Sequence, residues 1–539
     1  SGTGGGVEGS ADGEGGSAPA SSEPVAPPRP KKKNAEPKYV ATDRMLTDVD
    51  NQFGADTDKS ESAKLASKVC KTLASEQNRR PKGPALSPRH KCECGANRTC
   101  DSYDAPAISY LLEGFRDSGQ VEVVLGAIPR TDSAEIIVHN AGMDVDHYLD
   151  KVAVPWGMLD KVNGNGMTEV GKVAGKYMER DFLVTAWGPR GGSLHDGLVR
   201  MANGKQVVVV RPGDVMGGKF KAPKAAARGD LLKKQPGSSC AGTMPLVSMV
   251  VQYFRRPEGI AKLASGFAQV GGKSMAGELI VNNDGHQDYH LWASYLDKVP
   301  KINPKMHAVL VMSGNLHEIR TYNRLSKLAR GEMLILLQDD DLPSGRPGFL
   351  GHLNSLFRHN AKLMLVTGLS ACIEGGRWTG KYSTRRGRKP ILPNMRDSTG
   401  GAFMFGSLLN FGPFTVRRSS FFEIGSFHEG YSCRGEPGIQ FDYEFSLRLW
   451  HNGWQGGIMP YRLGYQASGR HSGTRSSREM YHKRKRIDLR NVRYYMAQYR
   501  GFYRIQGNWH SRSYHGLPVG VHKLVEAANN DLRSNRNKY

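Results

Sequence analysis

The amino-acid sequence predicts an α/β fold built on a mixed, mainly parallel sheet with helices on both faces. From about residue 104 onward, short apolar segments of strand length alternate with segments of helical periodicity, which is typical of α/β architecture. Some apolar segments are continuous, as in Met333–Leu337. A continuous apolar strand is buried on both faces, as in a parallel sheet covered by helices.

The charge and length of the chain indicate which partners it favours and how many domains it can form. A net charge of +24 favours anionic partners such as nucleotides, nucleic acid, acidic glycans or membrane surfaces. With 539 residues the chain can form two or three domains with cores of their own. No segment has the length of an apolar membrane span, and the polar, glycine-rich start lacks a signal-peptide pattern. We therefore expect membrane contact only through a segment missing from this sequence.

Composition and periodicity predict six segments. Residues 1–60 are rich in Gly, Pro, Ser and Lys and are expected to be a disordered stem or linker. The other segments are a helix with a cysteine loop (61–103), a smaller α/β domain (104–220), a linker (221–242), the main α/β domain (243–475) and a basic, aromatic-rich C-terminal extension (476–539). We expect a helix of the extension to pack its aromatic face on the main domain.

In the smaller α/β domain the patterning predicts one helix and four strands. The helix is expected over Ile108–Phe115, and the strands over Val121–Leu125, Glu135–Val138, Asp181–Thr185 and Gln206–Val210.

The main domain begins with a predicted buried strand over 244–254, followed by a helix through Leu263 and Phe267. Strands are then expected over Glu278–Asp284 and Met306–Val311, and a helix over Arg320–Arg330 that ends at a glycine.

The strand after this helix ends in three consecutive carboxylates, Asp339, Asp340 and Asp341. In parallel sheets, ligands bind outside the carboxyl ends of the strands. Adjacent carboxylates repel one another, and a divalent cation can neutralise them. The triplet is therefore either a cation site or a solvated acidic turn.

An internal repeat relates the two α/β domains. Residues 134–142 are similar to 277–285, and both segments are followed by a Tyr-Leu-Asp-Lys-Val sequence. Residues 201–214 are similar to 328–341, but Pro212-Gly213-Asp214 replaces the acidic triplet. We interpret the first copy as a degenerate, non-catalytic version of the second.

Three of the seven cysteines, Cys92, Cys94 and Cys100, lie close together without the CxxC spacing of a zinc site. The sequon Asn97-Arg98-Thr99 lies in the same loop. The combination favours an oxidising, secretory-pathway lumen with disulfide bonds, and the odd cysteine count leaves at least one thiol outside an internal disulfide.

A series of motifs extends over about 244–475. They are Pro245–Val251, Glu278–Gly285, Asn323 with Ala329–Glu332, Asp339–Asp341, Ile424–Glu429, and Asp442–Leu449 with Gly453-Trp454. In this order and spacing the domain resembles a family 2 glycosyltransferase with the GT-A fold. The smaller domain then resembles a degenerate GT-A copy.

The resemblance implies roles in binding a nucleotide-sugar donor. Asp284 corresponds to the acid that receives the base and ribose, and Asn323 and Arg330 are placed with it at the donor. The triplet corresponds to the DxD motif, which holds Mn²⁺ or Mg²⁺ on the donor diphosphate. Asp341 is then the direct metal ligand, and Asp339 contacts the ribose or the metal.

The resemblance also implies a catalytic base and a further metal ligand. Asp442 takes the position of the base that accepts the proton of the acceptor hydroxyl. Phe441 replaces the glutamate usual in the family, and Glu444 is an alternative base. His471, after a Tyr-Pro-like segment, is either a further metal ligand beside Asp339 and Asp341 or an ordinary loop histidine.

The resemblance implies a metal-dependent, inverting glycosyltransferase that uses a nucleotide sugar, UDP-linked as is usual in the family, and a glycan or glycoprotein acceptor. The expected location is the Golgi lumen, as a type II membrane protein without its anchor, and nucleic acid is not an expected partner. One alternative is a non-catalytic nucleotide- or glycan-binding protein, which the departure at Phe441 favours. Another is a basic nucleic-acid-binding protein, which the Arg-, Lys- and Tyr-rich extension favours.

Overall fold

The structure is a computed structural model, and part of the chain is described. The described residues are 92–94, 98–100, 106–128, 134–140, 143–153, 182–188, 193–204, 206–222, 247–270, 276–284, 288–314, 316–343, 349–373, 380–383, 390–392, 394–432, 436–461, 463–465, 478–503 and 520–534. The predictions for residues 1–60, for most of the linker and for His471 lie outside them.

Twelve of the described strands form one mixed, mainly parallel sheet, which confirms the predicted fold class. A separate antiparallel hairpin is formed by β1 (Cys92–Cys94) and β2 (Arg98–Cys100). The strands of the large sheet are β3 (Ile108–Leu112), β4 (Ala134–His139), β5 (Phe182–Trp187), β6 (Gln206–Val210), β7 (Val247–Tyr253), β8 (Gly277–Asp284), β9 (Met306–Ser313), β10 (Met333–Gln338), β12 (Leu363–Thr367), β15 (Met404–Phe405), β17 (Phe414–Arg417) and β18 (Gln455–Ile458). Two small sheets contain β11 (Asp341–Pro343) with β19 (Leu463–Tyr465), and β13 (Ser370–Ile373) with β14 (Gly380–Ser383) and β16 (Leu408–Asn410).

Helices connect the strands, and further helices come after the last strand, towards the C-terminus. The longer ones are α1 (Ser118–Ala127), α2 (Ser193–Met201), α3 (Pro257–Gln269), α4 (Tyr289–Leu296), α5 (His317–Leu328), α6 (Phe349–His359), α7 (Phe441–His451), α8 (Arg478–Gln498) and α9 (Gly520–Ser534). Short helical segments cover Val145–His147, Tyr148–Ala153, Pro212–Asp214, Val299–Ile302, Arg418–Glu423 and Glu429–Tyr431. In the described part of the chain, no helix has both the length and the apolar character needed to cross a bilayer.

Two predictions in the smaller domain were wrong. The segment predicted as a helix from Ile108 is the buried strand β3, and the segment predicted as a strand from Val121 lies inside helix α1. Strands β3 and β4 are parallel neighbours, and parallel neighbours need a crossover connection, usually a helix. Asp117 caps this helix by accepting a hydrogen bond from the main chain of Gly119 at 2.9 Å. Topology therefore overrides the strand preference of the valines.

The internal repeat is visible in the sheet. The first quartet of strands has the order β6-β3-β4-β5 and the second has β10-β7-β8-β9, and each quartet is parallel throughout. Strands β5 and β9 join the quartets in antiparallel fashion, with Leu183 opposite Met312. The quartets are therefore related by an approximate two-fold rotation, and their carboxyl ends lie at opposite edges of the sheet.

The two quartets also share a buried hydrogen-bond motif. In the second quartet, the Ser248 hydroxyl donates to Glu278 at 2.7 Å and accepts from the main-chain N–H of Gly331 at 2.8 Å. In the first quartet the equivalent residues are Ser109, Glu135 and Gly204, with distances of 2.5 Å and 2.7 Å. The repeat thus extends from strand order to individual contacts.

Polar side chains connect the quartets where α2 packs against α5. The Arg200 guanidinium donates to the carbonyl of Lys327 at 3.1 Å, and that of Arg324 donates to the carbonyl of Met201 at 2.8 Å. Arg324 also forms a buried ion pair with Glu135. The first quartet thereby holds the helix that follows β9.

The C-terminal extension packs on the main domain through α8, as the sequence predicts. Its aromatic residues Tyr495 and Tyr499 are buried. The Asn491 amide donates to the carbonyls of Tyr431 at 2.7 Å and Ile439 at 2.6 Å. These contacts fix the segment that leads into α7.

Candidate functional site

The carboxyl ends of β10, β7 and β8 lie side by side at one edge of the sheet. Gln252 of β7 is in register with Gln338 of β10 and with Asn282 of β8. Asp284 ends β8, and the acidic triplet follows β10. The structure therefore brings these predicted site residues to the same edge, hereafter the acidic edge.

Asp284 is buried and accepts four hydrogen bonds. The side chains of Gln252 and Ser313 donate at 3.2 Å and 3.0 Å. The main-chain N–H groups of Leu316 and His317 donate at 2.8 Å and 2.9 Å. The carboxylate therefore fixes the start of α5 against the end of β8, which is a structural role beside the predicted one in nucleotide binding.

Asp339 and Asp340 lie next to the residues that follow β7. The Phe254 N–H donates to Asp339 at 3.0 Å, and an Arg256 guanidinium nitrogen lies 3.3 Å from Asp339 and 3.5 Å from Asp340. Burial raises the pKa of the Asp339 carboxyl to about 7; Arg256 opposes the rise and Asp340 adds to it. The position therefore favours an added positive charge.

Asp341 forms the turn that ends β10. Its carboxylate accepts from the main-chain N–H of Gln338 at 2.9 Å. The equivalent Asp214 of the first quartet accepts from Arg211 in the same way at 2.7 Å. The same turn bond is therefore present in the first quartet, which has Pro212 and Gly213 in place of the other two acids, so the bond does not depend on them.

Asp442 approaches the acidic edge through the turn before β17. Its carboxylate accepts from the Asn410 amide at 3.1 Å and from the Phe411 N–H at 3.0 Å. The next residue, Gly412, passes close to Asp341, since a Cβ built on it would lie 3.6 Å from the Asp341 carboxylate, at ordinary van der Waals distance. Burial raises the pKa of Asp442, opposed by the N–H groups of Phe411 and Tyr443. One three-residue turn thus connects the predicted base with the predicted metal ligand.

The alternative base, Glu444, occupies a different environment. It is fully buried, pairs with Arg448 at 3.0 Å and accepts a hydrogen bond from the Tyr499 hydroxyl at 2.8 Å. It therefore connects α7 to the C-terminal extension, and Asp442 is the residue of the two that contacts the turn beside Asp341.

Two further predicted residues lie away from the acids. Arg330 precedes β10, at the opposite end of the strand, and its guanidinium pairs with Glu278 at 3.0 Å. Asn323 lies within α5, where its amide donates to the carbonyl of Phe427 at 2.8 Å and accepts from the same residue's N–H at 2.9 Å. The structure does not bring either residue to the acidic edge.

Strained backbone surrounds the acidic edge. Arg255 and His317, which follow β7 and β9, have φ angles of 53° and 58°. Gln440, directly before α7, has a φ of 65°. Such angles are unfavourable for residues other than glycine and tend to persist at functional sites, where the surroundings hold them. The sequence alone does not indicate that these residues adopt such angles or lie near the acids.

The donor set of the acidic edge suits a divalent cation in part. Among the described side chains, no three of His, Cys, Asp or Glu are already grouped as a metal cage. Mg²⁺, however, is often held by one or two carboxylates together with substrate phosphates, and carboxylate oxygens also suit Mn²⁺. Asp339, Asp340 and Asp341 supply such oxygens, and the Arg256 guanidinium already lies there as a positive charge.

The sequence analysis missed the residues that hold these acids. Phe254 and Arg256 contact the triplet from more than 80 positions away, and Asn410 and Phe411 hold Asp442 from about 30 positions away. A local signal exists for Arg256 alone, because the Arg-Arg-Pro sequence directly follows a strand end.

Solved glycosyltransferase structures resemble parts of this chain. A mannosyltransferase, PcManGT from Pyrobaculum calidifontis in complex with GDP-Man and Mn²⁺, is 14% identical with a TM-score of 0.33, and the match covers 54% of this chain and 70% of that one. GalNAc-T7 with UDP, GalNAc and Mn²⁺ is 14% identical with a TM-score of 0.33, and the match covers 55% of this chain and 57% of that one. TarS from S. aureus is 14% identical with a TM-score of 0.30, and the match covers 46% of this chain and 39% of that one. No protein-family model matches the chain, and no curated protein matches it.

Proposed function

We propose that the chain is a glycosyltransferase that moves a sugar from a nucleotide sugar to an acceptor hydroxyl with inversion at the sugar carbon. The observation that carries the proposal is the arrangement of Asp339, Asp341 and Asp442 at the acidic edge, with the Asn410–Gly412 turn between Asp442 and Asp341. This arrangement supports the proposal, because the proposed transfer uses carboxylates that can bind a cation together with a nearby group that can accept a proton.

In this proposal Asp339 and Asp341 of the triplet would hold Mn²⁺ or Mg²⁺, which would stabilise negative charge on the nucleoside diphosphate. UDP is the proposed nucleoside diphosphate. Asp442 accepts the proton of the acceptor hydroxyl, and the donors on its carboxylate fix its orientation. Its raised pKa favours proton uptake, because a base is most effective when its pKa approaches the working pH.

The proposal includes a glycan or glycoprotein acceptor and a location in the secretory-pathway lumen. The sequon at Asn97, which lies between strands β1 and β2, and the cysteines of these strands support that location. Elsewhere among the described residues, Cys372 is buried and is not part of a disulfide bond.

The test is transfer from a panel of UDP- and GDP-sugars with Mn²⁺, measured as nucleoside diphosphate release with and without glycan acceptors. Asp341→Asn and Asp442→Asn preserve shape and should each lower turnover by about 100-fold or more, the usual contribution of a positioned proton acceptor or charge. Asp214→Asn is the matched control, because Asp214 makes the same turn bond in the first quartet, and it should leave turnover unchanged.

Full turnover by both Asp341→Asn and Asp442→Asn would contradict the site assignment. Binding of UDP by the wild-type chain without turnover of any donor would instead indicate a non-catalytic nucleotide-binding protein.

A further inference from the structure

The acidic edge already contains a positive charge supplied by the protein. The Arg256 guanidinium lies 3.3 Å from Asp339 and 3.5 Å from Asp340, and the three side chains are 20%, 12% and 9% exposed. A guanidinium in this position partly neutralises the two carboxylates, as a bound divalent cation would.

The contact is loose. Nitrogen–oxygen distances in strong charge-assisted hydrogen bonds are about 2.7–2.9 Å, and bidentate arginine–carboxylate pairs make two such bonds. Arg256 instead uses one nitrogen at longer distances to two different carboxylates. An ion pair of this kind, with its arginine partly exposed, can be displaced by an ion of higher charge.

The main chain around Arg256 is held independently of its side chain. The Arg256 N–H donates to the Tyr253 hydroxyl at 2.8 Å, and that hydroxyl donates to Asp288 at 2.6 Å. The Phe254 N–H bonds to Asp339 at 3.0 Å. Changing the Arg256 side chain should therefore remove the charge and leave the segment in place.

We infer that Arg256, through its contacts with Asp339 and Asp340, is an internal competitor of the divalent cation at the acidic edge, so that it determines the metal affinity of this edge. Without metal, the guanidinium stabilises the two carboxylates. Metal binding requires the guanidinium to leave them. The inference rests on the proposed function, because it takes the acidic edge as the cation site of that function.

The neighbouring arginine provides a matched control. Arg255 carries the same charge, but its guanidinium lies over the Phe254 ring, 4.8 Å from the ring centre. Arg255→Gln and Arg256→Gln lower the net charge of the chain equally. A difference between them therefore reports on the contact with the acids rather than on total charge.

The experiment is Mn²⁺ binding to the full chain without nucleotide, followed by the electron paramagnetic resonance signal of free Mn²⁺. Arg256→Gln should bind Mn²⁺ at least tenfold more tightly than the wild type, and Arg255→Gln should stay within twofold of it. Adding Asp341→Asn to Arg256→Gln should weaken the gained binding, which assigns that binding to the acidic edge. Arg256→Ala should repeat the gain.

Unchanged or weaker Mn²⁺ binding by Arg256→Gln and Arg256→Ala would overturn the inference. An equal gain in Arg255→Gln would also overturn it, because net charge would then explain the effect. Absence of binding in both the wild type and Arg256→Gln at millimolar Mn²⁺ overturns it as well. The donor assay described above still tests glycosyl transfer separately, since its readout is product formation rather than metal binding.

Discussion

Replacing Gly331 by alanine should destabilise the protein, because the structure has no room for a methyl group there. A Cβ on Gly331 would lie 2.5 Å from the Ser248 nitrogen, and 2.7 Å from both the Ser248 hydroxyl oxygen and the Val247 carbonyl carbon. Two of these three atoms belong to the main chain of β7 and cannot rotate away. The strand or the turn before β10 must therefore move.

The magnitude follows from two effects. Overpacking a well-packed site costs about 1–3 kcal/mol. Moving Ser248 also weakens its hydrogen bonds with Gly331 and Glu278, both within the buried motif, which adds about 1 kcal/mol. We expect Gly331→Ala to lower the free energy of unfolding by about 3 kcal/mol, the sum of the two effects.

Urea unfolding followed by tryptophan fluorescence measures this change. Gly204→Ala, the equivalent change in the first quartet, should have a similar effect, since its Cβ would lie 2.5 Å from the Ser109 nitrogen and hydroxyl oxygen. Gly213→Ala is the control, because nothing lies within 4 Å of its Cβ. A Gly331→Ala midpoint equal to that of Gly213→Ala would refute the packing argument.

Three further changes test buried groups of the C-terminal extension and of the helix α7 that it contacts. Glu444→Gln should lower the free energy of unfolding by about 3 kcal/mol, because it leaves the Arg448 guanidinium buried without its carboxylate. Tyr499→Phe removes one hydrogen bond to Glu444 and should lower the free energy of unfolding by about 1 kcal/mol. Equal urea midpoints for the two variants would contradict this expectation. Burial lowers the pKa of His522 to about 4, so that the unfolded chain, with a histidine pKa of about 6.5, takes up a proton first as the pH falls. This contribution to stability should be complete above about pH 6.5 and fall by up to about 3 kcal/mol towards pH 4, and His522→Gln should show a shallower fall in urea unfolding across that range.

The sequence predicted the elements whose signals are local. The buried strands of the second quartet are continuous apolar segments, and the acids that follow them appear directly in the sequence. The repeat was also predictable, because both copies keep their apolar strands and the glycine before the last strand, where the packing allows no side chain. Burial determines the residue type at such positions, and the pattern of apolar and polar residues in the sequence indicates burial well.

The remaining features depend on contacts between distant residues. Helix α1 contains valines that favour a strand, and the parallel pairing of β3 with β4 decides its conformation. Asp442 and Glu444 are two positions apart and chemically alike, and the choice between them depends on Asn410 and Tyr499, which lie on other elements. Sequence spacing contains no information on such partners.

The antiparallel junction of β5 and β9 has a consequence for any attempt to isolate the second quartet. Strand β9 is eight residues long and nearly all buried, and five of its residues, Ala308–Met312, are in register with Leu183–Trp187 of β5. Removing the first quartet would expose these main-chain groups as an open, apolar border, and such borders recruit other chains. The first quartet therefore covers this border within the same chain, and a fragment that begins after residue 222 should self-associate whatever its acids bind.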